Sequence, residues 1–448
     1  MSRPRRQSGR PGTDASPERL TALRVLRRVE EGAYADRAFA AQARRDGLAS
    51  RQRGPAMRLA YGTVQRRRTC DWIVDAHLDR PERVEPAVRD VLRLGAYELV
   101  WSDGVPASAA VDQAVRLARA VPGDPRRASA RAGLVNAVLR KVAGDVDALR
   151  RRLDDPATPA GVRFSFPDWM VDALVRDLGP EDAHGLMAAA NEPAESALRA
   201  NTLRGPRVTV TDRLGVPWHG DPLLPEAVVL EGALAFEDTA AWERGRAMPQ
   251  SRASMLPAHA LDPRPRERVL DLCAAPGAKA THIAALARND VTLVCVEQHA
   301  SRADALRNLA RRMGARLDVR VGDGRTVDLE GGFDAVLVDA PCSGLGVLSS
   351  RPDARWRRDP ETPAVLAQLQ SQLVARALEL VRPGGRVVYS TCTVLAAENE
   401  DVVRAAGGTL DDLTTRFPGL GHPRLPGALL TLPHLHGTDG FFVARILR

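Results

Sequence analysis

Two hydrophobic periods divide the chain. Up to about residue 145, apolar side chains recur three and four apart, and strand-like alternation is absent. In "SPERLTALRVLRRVEEG" Ser16 suits an N-cap and Pro17 the first helical position. Ala22, Leu23, Val25, Leu26 and Val29 then form one stripe, and Gly32 can close the helix. "AMRLAYGTVQRRRTCDWIVDAHL", "EPAVRDVLRLGAYELVW", "ASAAVDQAVRLARAV" and "ARAGLVNAVLRKVAGDVDALRRRL" repeat the pattern. It predicts a helical bundle over 16–145, preceded by a short basic arm over 1–15 that is too polar to fold alone. Residues 146–255 are mixed. "PDWMVDALVRDLG" and "EDAHGLMAAAN" read as helices, while "SALRANTLR", "VTVTDRLG" and "EAVVLEG" read as short strands or turns, which makes a small α/β connector. The last domain is assigned to 256–448. There "RVLDLC", "VTLVCVE", "LDVRVGD", "FDAVLVDA" and "GGRVVYSTC" alternate with amphipathic stretches, the pattern of a doubly wound, Rossmann-like parallel sheet. "GFFVARILR" can add a last, antiparallel strand.

Composition narrows the function classes. The 448 residues leave room for two or three domains. No apolar run reaches the ~18 residues of a membrane span, and the N-terminus lacks the apolar stretch of a signal peptide. Five cysteines without a C-x-x-C pair argue against a disulfide framework and against a structural zinc site. The expectation is a monomer in a reducing cytosol, with no metal and no membrane partner. Charge is uneven: residues 1–150 hold 29 Lys+Arg against 18 Asp+Glu, while the remainder is slightly acidic. A basic N-terminal third points to a polyanion, most simply nucleic acid. Lys141 and Lys279 are the only lysines among many arginines, which draws attention to both.

The first strand of the sheet runs into "DLCAAPGAKATHIA". Ligands of such sheets bind outside the C-terminal strand ends, and Pro276-Gly277 permits a tight turn with close backbone approach. The loop is neither G-x-G-x-x-G nor a P-loop, so dinucleotide and nucleoside triphosphate readings lose support. Glu297, Asp323 and Asp339 end the next three strands. One strand-end acid is ordinarily a helix cap. Three beside a Pro-Gly turn suit an adenosine cofactor without phosphates, and the sulfonium cation of S-adenosyl-L-methionine favours an acidic rim.

Two thiols follow. Cys342 in "DAPCSGLG" and Cys392 in "YSTCT" end strands that are neighbours in an open methyltransferase-like sheet. Carbon 5 of cytosine is a poor nucleophile. A thiolate adding to carbon 6 makes it enamine-like, and a base must then remove the carbon 5 proton before the thiol leaves. One thiol to attack and one to assist release explains a pair, with Asp339 at the N3/N4 edge. The residues alone leave open which thiol does which. A helix predicted directly after Cys392 would lower its thiol pKa. Cys70 and Cys295 read as packing, and Cys273 as packing plus backbone contact to the cofactor.

At these residues the chain resembles the RsmB (Sun/Fmu) type of bacterial RNA 5-cytosine methyltransferase, within the Nol1/Nop2/Sun group. "DLCAAPGAKATHIA", "VDAPCSGLGVL", "YSTCTVLAAENE" and "DGFFVARI" are similar to its successive motifs. "GLVNAVLRKV" is similar to the close of its NusB-like RNA-binding domain. The resemblance implies cofactor contacts from Cys273, Ala274, Ala275, Pro276, Gly277, Ala278 and Lys279, then Glu297, Asp323 and Asp339. It implies Cys392 as nucleophile and Cys342 as the release residue. Three positions depart from the pattern: Ala278 stands where a second Gly is usual, Glu297 where Asp is common, and Gln250-Ser251 where Gln-Asp is usual. The resulting expectation is a 5-cytosine methyltransferase of 16S rRNA, with Arg302, Arg351, Arg355, Arg357 and Arg358 as candidate RNA contacts. Its rivals are the same chemistry on tRNA and a non-catalytic NusB-like RNA-binding protein. Amino-group methylation is a weaker rival, because "DAPC" lacks the tyrosine of an Asn/Asp-Pro-Pro-Tyr strand end.

Overall fold

The computed structural model describes residues 15–212, 214–232 and 234–448. The basic arm expected over 1–15 lies, apart from Ala15, outside the described residues. The chain forms two compact units. One holds the residues up to Val171 together with Arg351–Arg357, and the other holds Asp172–Ser350 and Arg358–Arg448.

The first unit is helical, as the 3.6-residue period requires. Its helices are α1 (Pro17–Glu30), α2 (Ala35–Arg45), α3 (Ser50–Gln65), α4 (Arg67–Asp75), α5 (Pro86–Trp101), α6 (Ala107–Ala120), α7 (Ala128–Asp154) and α8 (Ala160–Arg163). Ser16 caps α1 by accepting from the Arg19 N–H, and Gly32 turns the chain at φ +94°. Helix α5 is buried on all sides, so Val91, Leu92, Leu94 and Ala96 sit at the centre of the core. Its Arg93 is the price of one polar crossing: the guanidinium reaches Asp71 with two bonds of 2.8 Å and Glu30 at 3.0 Å. An unpaired cation there would be strongly destabilising. Helix α7 runs past residue 145 without a break.

After α9 (Asp168–Leu178) and α10 (Pro180–Ala189) come the short elements of the connector. They are β1 (Ala197–Ala200), α11 (Val208–Thr211), β2 (Trp218–His219), β3 (Ala227–Leu230), α12 (Ala240–Glu243) and β4 (Ala247–Pro249). The strands form an antiparallel sheet in the order β2-β3-β1-β4. "VTVTDRLG", expected as a strand or turn, supplies the helical turn α11 instead. Its β-branched residues have a local alternative, because the Thr209 and Thr211 hydroxyls bond to Pro206 O and Val208 O three residues back.

The remainder is α13 (Arg252–Leu261), β5 (Arg268–Asp271), α14 (Ala278–Leu286), β6 (Thr292–Glu297), α15 (Ala300–Met313), β7 (Asp318–Val321), β8 (Phe333–Asp339), α16 (Ala354–Arg357), α17 (Thr362–Leu380), β9 (Val381–Thr391), α18 (Glu400–Ala406), β10 (Thr409–Asp411), β11 (Leu429–Thr431), α19 (Pro433–His436) and β12 (Phe441–Leu447). The eight-stranded sheet runs β10-β12-β9-β8-β5-β6-β7, with β11 also on β12. Strands β9, β8, β5, β6 and β7 are parallel, and β12 joins antiparallel as expected. The chain departs from β5 to β6 on one side and returns to β8 on the other, so the switch point lies between β5 and β8. Near-continuous apolar runs such as Ala335–Val338 are buried on both faces, which is what covering helices dictate.

Helix α16 belongs to the first unit and corrects one expectation. Arg355 is fully buried: its Nη1 donates to Gln65 O and Ser165 O at 3.2 Å each, and its guanidinium lies 4.3 Å from the Phe166 ring. Trp356 donates from Nε1 to Val64 O at 2.7 Å. Arg355 is therefore a structural anchor, unavailable to RNA in this fold. Arg357 is also engaged, with Asp353 at 3.3 Å and the Tyr34 ring at 3.7 Å.

Candidate active site

Register places the site. On the adjacent parallel strands β8 and β9, Asp339 is level with Ser390. Asp339 Oδ1 accepts from Ser390 Oγ at 2.9 Å, and Oδ2 accepts from Lys279 Nζ at 2.7 Å. The Lys279 ammonium also reaches Ser254 Oγ at 3.3 Å and lies 4.9 Å from the centre of the Phe441 ring. One of the two lysines in the chain thus sits on the acid that ends β8.

Three residues beyond Asp339, Cys342 Sγ lies 3.2 Å from Cys392 Sγ. The loop carrying Cys342 is held on several sides. Gln370 Nε2 donates to Pro341 O at 2.8 Å, and the Ser343 N–H donates to the buried Glu398 carboxylate at 2.8 Å. Arg358 Nε donates to Ser343 O at 3.0 Å. Behind Cys392, the Gly346 N–H donates to Cys392 O at 3.0 Å. Contact with Cys392, then burial, pushes the Cys342 thiol well above its ordinary value. Cys342 therefore holds its proton more tightly than an ordinary thiol. The helix expected directly after Cys392 is not there: α18 begins only at Glu400 and is seven residues long. Thr393–Leu395 is irregular, with Thr393 O accepting from Asn399 Nδ2 at 3.0 Å, and only a single 3-10 turn, Ala396–Glu398, precedes α18. Helix-dipole activation of Cys392 drops out of the account.

The loop after β5 leads into α14, whose Lys279 bonds to Asp339. The Ala274 N–H donates to Val296 O at 2.9 Å, the Ala275–Pro276 peptide is cis, and Gly277 takes φ +112°. A Cβ on Gly277 would stand 2.5 Å from Leu306 Cδ1, so both the turn and the space need glycine. Glu297, at the end of β6, accepts from the His299 N–H at 2.9 Å. Arg302, a candidate RNA contact, is half exposed, donates to Ala275 O at 2.8 Å and lies 3.6 Å from Glu297. Asp323 follows β7, where its Arg325 ion pair holds the carboxyl below the usual range. Burial and the surrounding acids push the Cys273 thiol up, which suits packing and backbone contact rather than nucleophilic attack.

Sequence reasoning missed Asp271. This last residue of β5 is fully buried, its Oδ1 accepts from the Cys273 N–H at 3.3 Å, and its Oδ2 has no partner. Burial first, then Asp339, pushes its carboxyl up to about 7. The signal was present in "VLDLC", an acid flanked on both sides by apolar residues. An orphaned buried oxygen, a glycine cradle and a ring of acids fit a cationic adenosine cofactor.

That fit carries a pH prediction. The free protein holds the Asp271 proton up to about pH 7, and a bound cation favours the ionised form. Affinity for S-adenosylmethionine should rise as pH climbs to about 7, by up to about tenfold per unit, and level off above it. Asp271→Asn should flatten the rise. Linkage gives the stability sign: the contribution of Asp271 to the free protein is full below about pH 4 and lost as pH passes through 7. Calorimetric titration of the cofactor between pH 5 and 8 checks both.

Comparison with known proteins bears on the same residues. Residues 258–447 match the family model of the 16S rRNA methyltransferase RsmB/F, residues 16–144 that of the NusB family, and residues 166–237 that of an RsmF/B-like ferredoxin-like domain. The chain is 34% identical to the ribosomal RNA small subunit methyltransferase B of Thermus thermophilus, over 97% of this chain and 98% of that one. It is 30% identical to the protein of the same name in Salmonella newport, over 90% and 92%. The crystal structure of PH0851 superposes with a TM-score of 0.80 at 23% identity, over 97% of this chain and 99% of that one. A methyltransferase homologue from Pyrococcus horikoshii gives a TM-score of 0.57 at 28% identity, over 66% and 98%.

Proposed function

The chain belongs to the 16S rRNA methyltransferase RsmB/F family, and from that premise we propose that it methylates carbon 5 of a cytosine in 16S rRNA through a covalent adduct of Cys392 with carbon 6. The observation that carries this reading is the Cys342–Cys392 pair at 3.2 Å, beside an Asp339 already bonded to Lys279.

S-adenosyl-L-methionine is the cofactor, and when bound it supplies an electrophilic methyl group on a sulfonium. Cys273, Ala274, Ala275, Pro276, Gly277 and Ala278 would line it through backbone, and Asp271, Glu297, Asp323 and Asp339 would face its charge and hydroxyls. Cys392 attacks carbon 6 as the thiolate. Asp339 holds the N3/N4 edge of the base, and the Lys279 ammonium, one hydrogen bond away, offsets the negative charge that addition develops there. While Cys392 is anionic it opposes ionisation of Cys342. Once its sulfur is bonded to carbon that opposition ends, and Cys342 can release its proton to water. It then takes the carbon 5 proton, and the electrons of that C–H bond reform the 5,6 double bond and expel Cys392. Like charges thus time the two thiols in order.

The helical domain (16–145) and the connector (146–255) are proposed to hold RNA backbone, with the target base unpaired or flipped out. Methyl-labelled cofactor offered with 16S rRNA and with tRNA tests the substrate. Label should enter 16S rRNA, with tRNA lower by about tenfold or more. Preferential labelling of tRNA overturns the assignment.

A further inference from the structure

The connector contains a buried cation that the chemistry above does not use. In β1 side chains alternate between faces. Leu198 and Ala200 enter the connector's own core, and Arg199 takes the opposite face, where it is fully buried. Its Nη1 donates to Ala278 O at 2.6 Å, and its Nη2 to Thr281 Oγ1 at 2.9 Å, with Met248 Sδ at 3.2 Å. Both oxygen acceptors lie in the first turn of α14. The residues on either side of Ala278 are Gly277, which makes the cofactor turn, and Lys279, which holds Asp339.

The placement runs against ordinary electrostatics. A cation at a helix N-terminus opposes the macrodipole. Burial pushes the guanidinium down to about 9, and among the described residues no carboxylate pairs with it directly. Its nearest compensating charge is Glu226, which itself sits 2.7 Å from His259 Nε2 and 2.8 Å from His282 Nε2. An apolar residue would fill this position more cheaply unless the two hydrogen bonds matter. Neighbouring residues extend the grip: Asn201 Nδ2 donates to Met313 O at 2.7 Å at the end of α15, and Thr202 Oγ1 to Ala285 O at 3.4 Å.

We propose that Arg199 is a positioning residue for the cofactor loop. By fixing the first turn of α14 from the connector, it holds the Gly277 turn and the Lys279–Asp339 pair in place. The connector then sets cofactor affinity as well as meeting RNA. The proposal rests on Gly277–Lys279 being the cofactor loop.

The test is calorimetric binding of S-adenosylmethionine to the full chain, with steady-state KM for cofactor and for RNA measured separately. Arg199→Met should weaken cofactor binding by about tenfold or more, while KM for RNA stays within about twofold. Arg199→Lys, keeping one donor, should recover part of the loss. Thr281→Val removes one acceptor, and with it the Thr281 Oγ1 bond of 2.8 Å to Gly277 O, and leaves the buried cation in place, so it reports even if Arg199→Met does not fold, with Thr281→Ser, which keeps the hydroxyl, as its control. Thr281→Val should weaken cofactor binding by about threefold. Unchanged binding in Thr281→Val, or equal losses for cofactor and RNA in Arg199→Met, overturns the proposal. Gly277→Val separates the premise: if it binds cofactor like the parent chain, the loop reading fails rather than the role of Arg199.

Discussion

Cys342→Ala should trap RNA on the protein. The attacking sulfur of Cys392 is untouched, so addition to carbon 6 and methyl transfer proceed. The base that removes the carbon 5 proton is gone, and elimination stalls. A denaturation-resistant adduct should accumulate in up to about one equivalent, with multiple turnover down by on the order of 10³-fold. Cys392→Ala should give neither adduct nor methylated RNA, a loss on the order of 10⁴-fold or more. Denaturing gels with labelled RNA read both variants side by side. An adduct from Cys392→Ala and none from Cys342→Ala would reverse the assignment. The sulfurs are 3.2 Å apart, and the two loops are tied to each other through Ser343 N–H to Glu398, Ser343 Oγ to Thr393 Oγ1 at 2.8 Å and Gly346 N–H to Cys392 O, none of which uses either sulfur.

Asp339→Asn should cost methylation about 10²- to 10³-fold. The amide keeps the shape and can still accept from Ser390, but it loses the charge that holds Lys279 at 2.7 Å and can no longer serve two acceptor roles. Because Asp339 also helps push up the Asp271 carboxyl, the variant should shift the pH dependence of cofactor binding toward lower pH. Loss of rate with that shift marks a residue facing both cofactor and base. Loss of rate with an unchanged profile would confine Asp339 to the base. Single-turnover rates and binding titrations across pH distinguish the two.

Much of this arrangement was legible in the sequence because it depends on period and order. Alternating apolar runs gave the parallel strands, and strand order brought Cys342 and Cys392 to one rim. What escaped was set by tertiary contact. "VTVT" had strand propensity, but local hydroxyl bonds made it a helical turn. Arg355 looked like a surface arginine among others, and only the fold shows its guanidinium against Phe166 and backbone carbonyls. The segment after Cys392 looked helical, yet the Asn399 side chain binds Thr393 O, and the α-helix starts only at Glu400. Arg199 is the single polar residue of β1, and Asp271 ends β5 after an apolar Val269-Leu270. Sequence reads them as interruptions, and their meaning lies in an orphaned oxygen and in two hydrogen bonds to another element.

Two thiols acting in turn, Cys392 at carbon 6 and Cys342 on the carbon 5 proton, should release the carbon 5 hydrogen of the target cytosine. Release of tritium from 16S rRNA labelled at cytosine carbon 5, followed alongside methyl transfer, measures this most directly. One tritium should be lost to water for each methyl gained, with release abolished in Cys392→Ala and stalled behind methyl transfer in Cys342→Ala. Methyl transfer without tritium release would place the methyl elsewhere on the nucleotide and rule out the two-thiol mechanism.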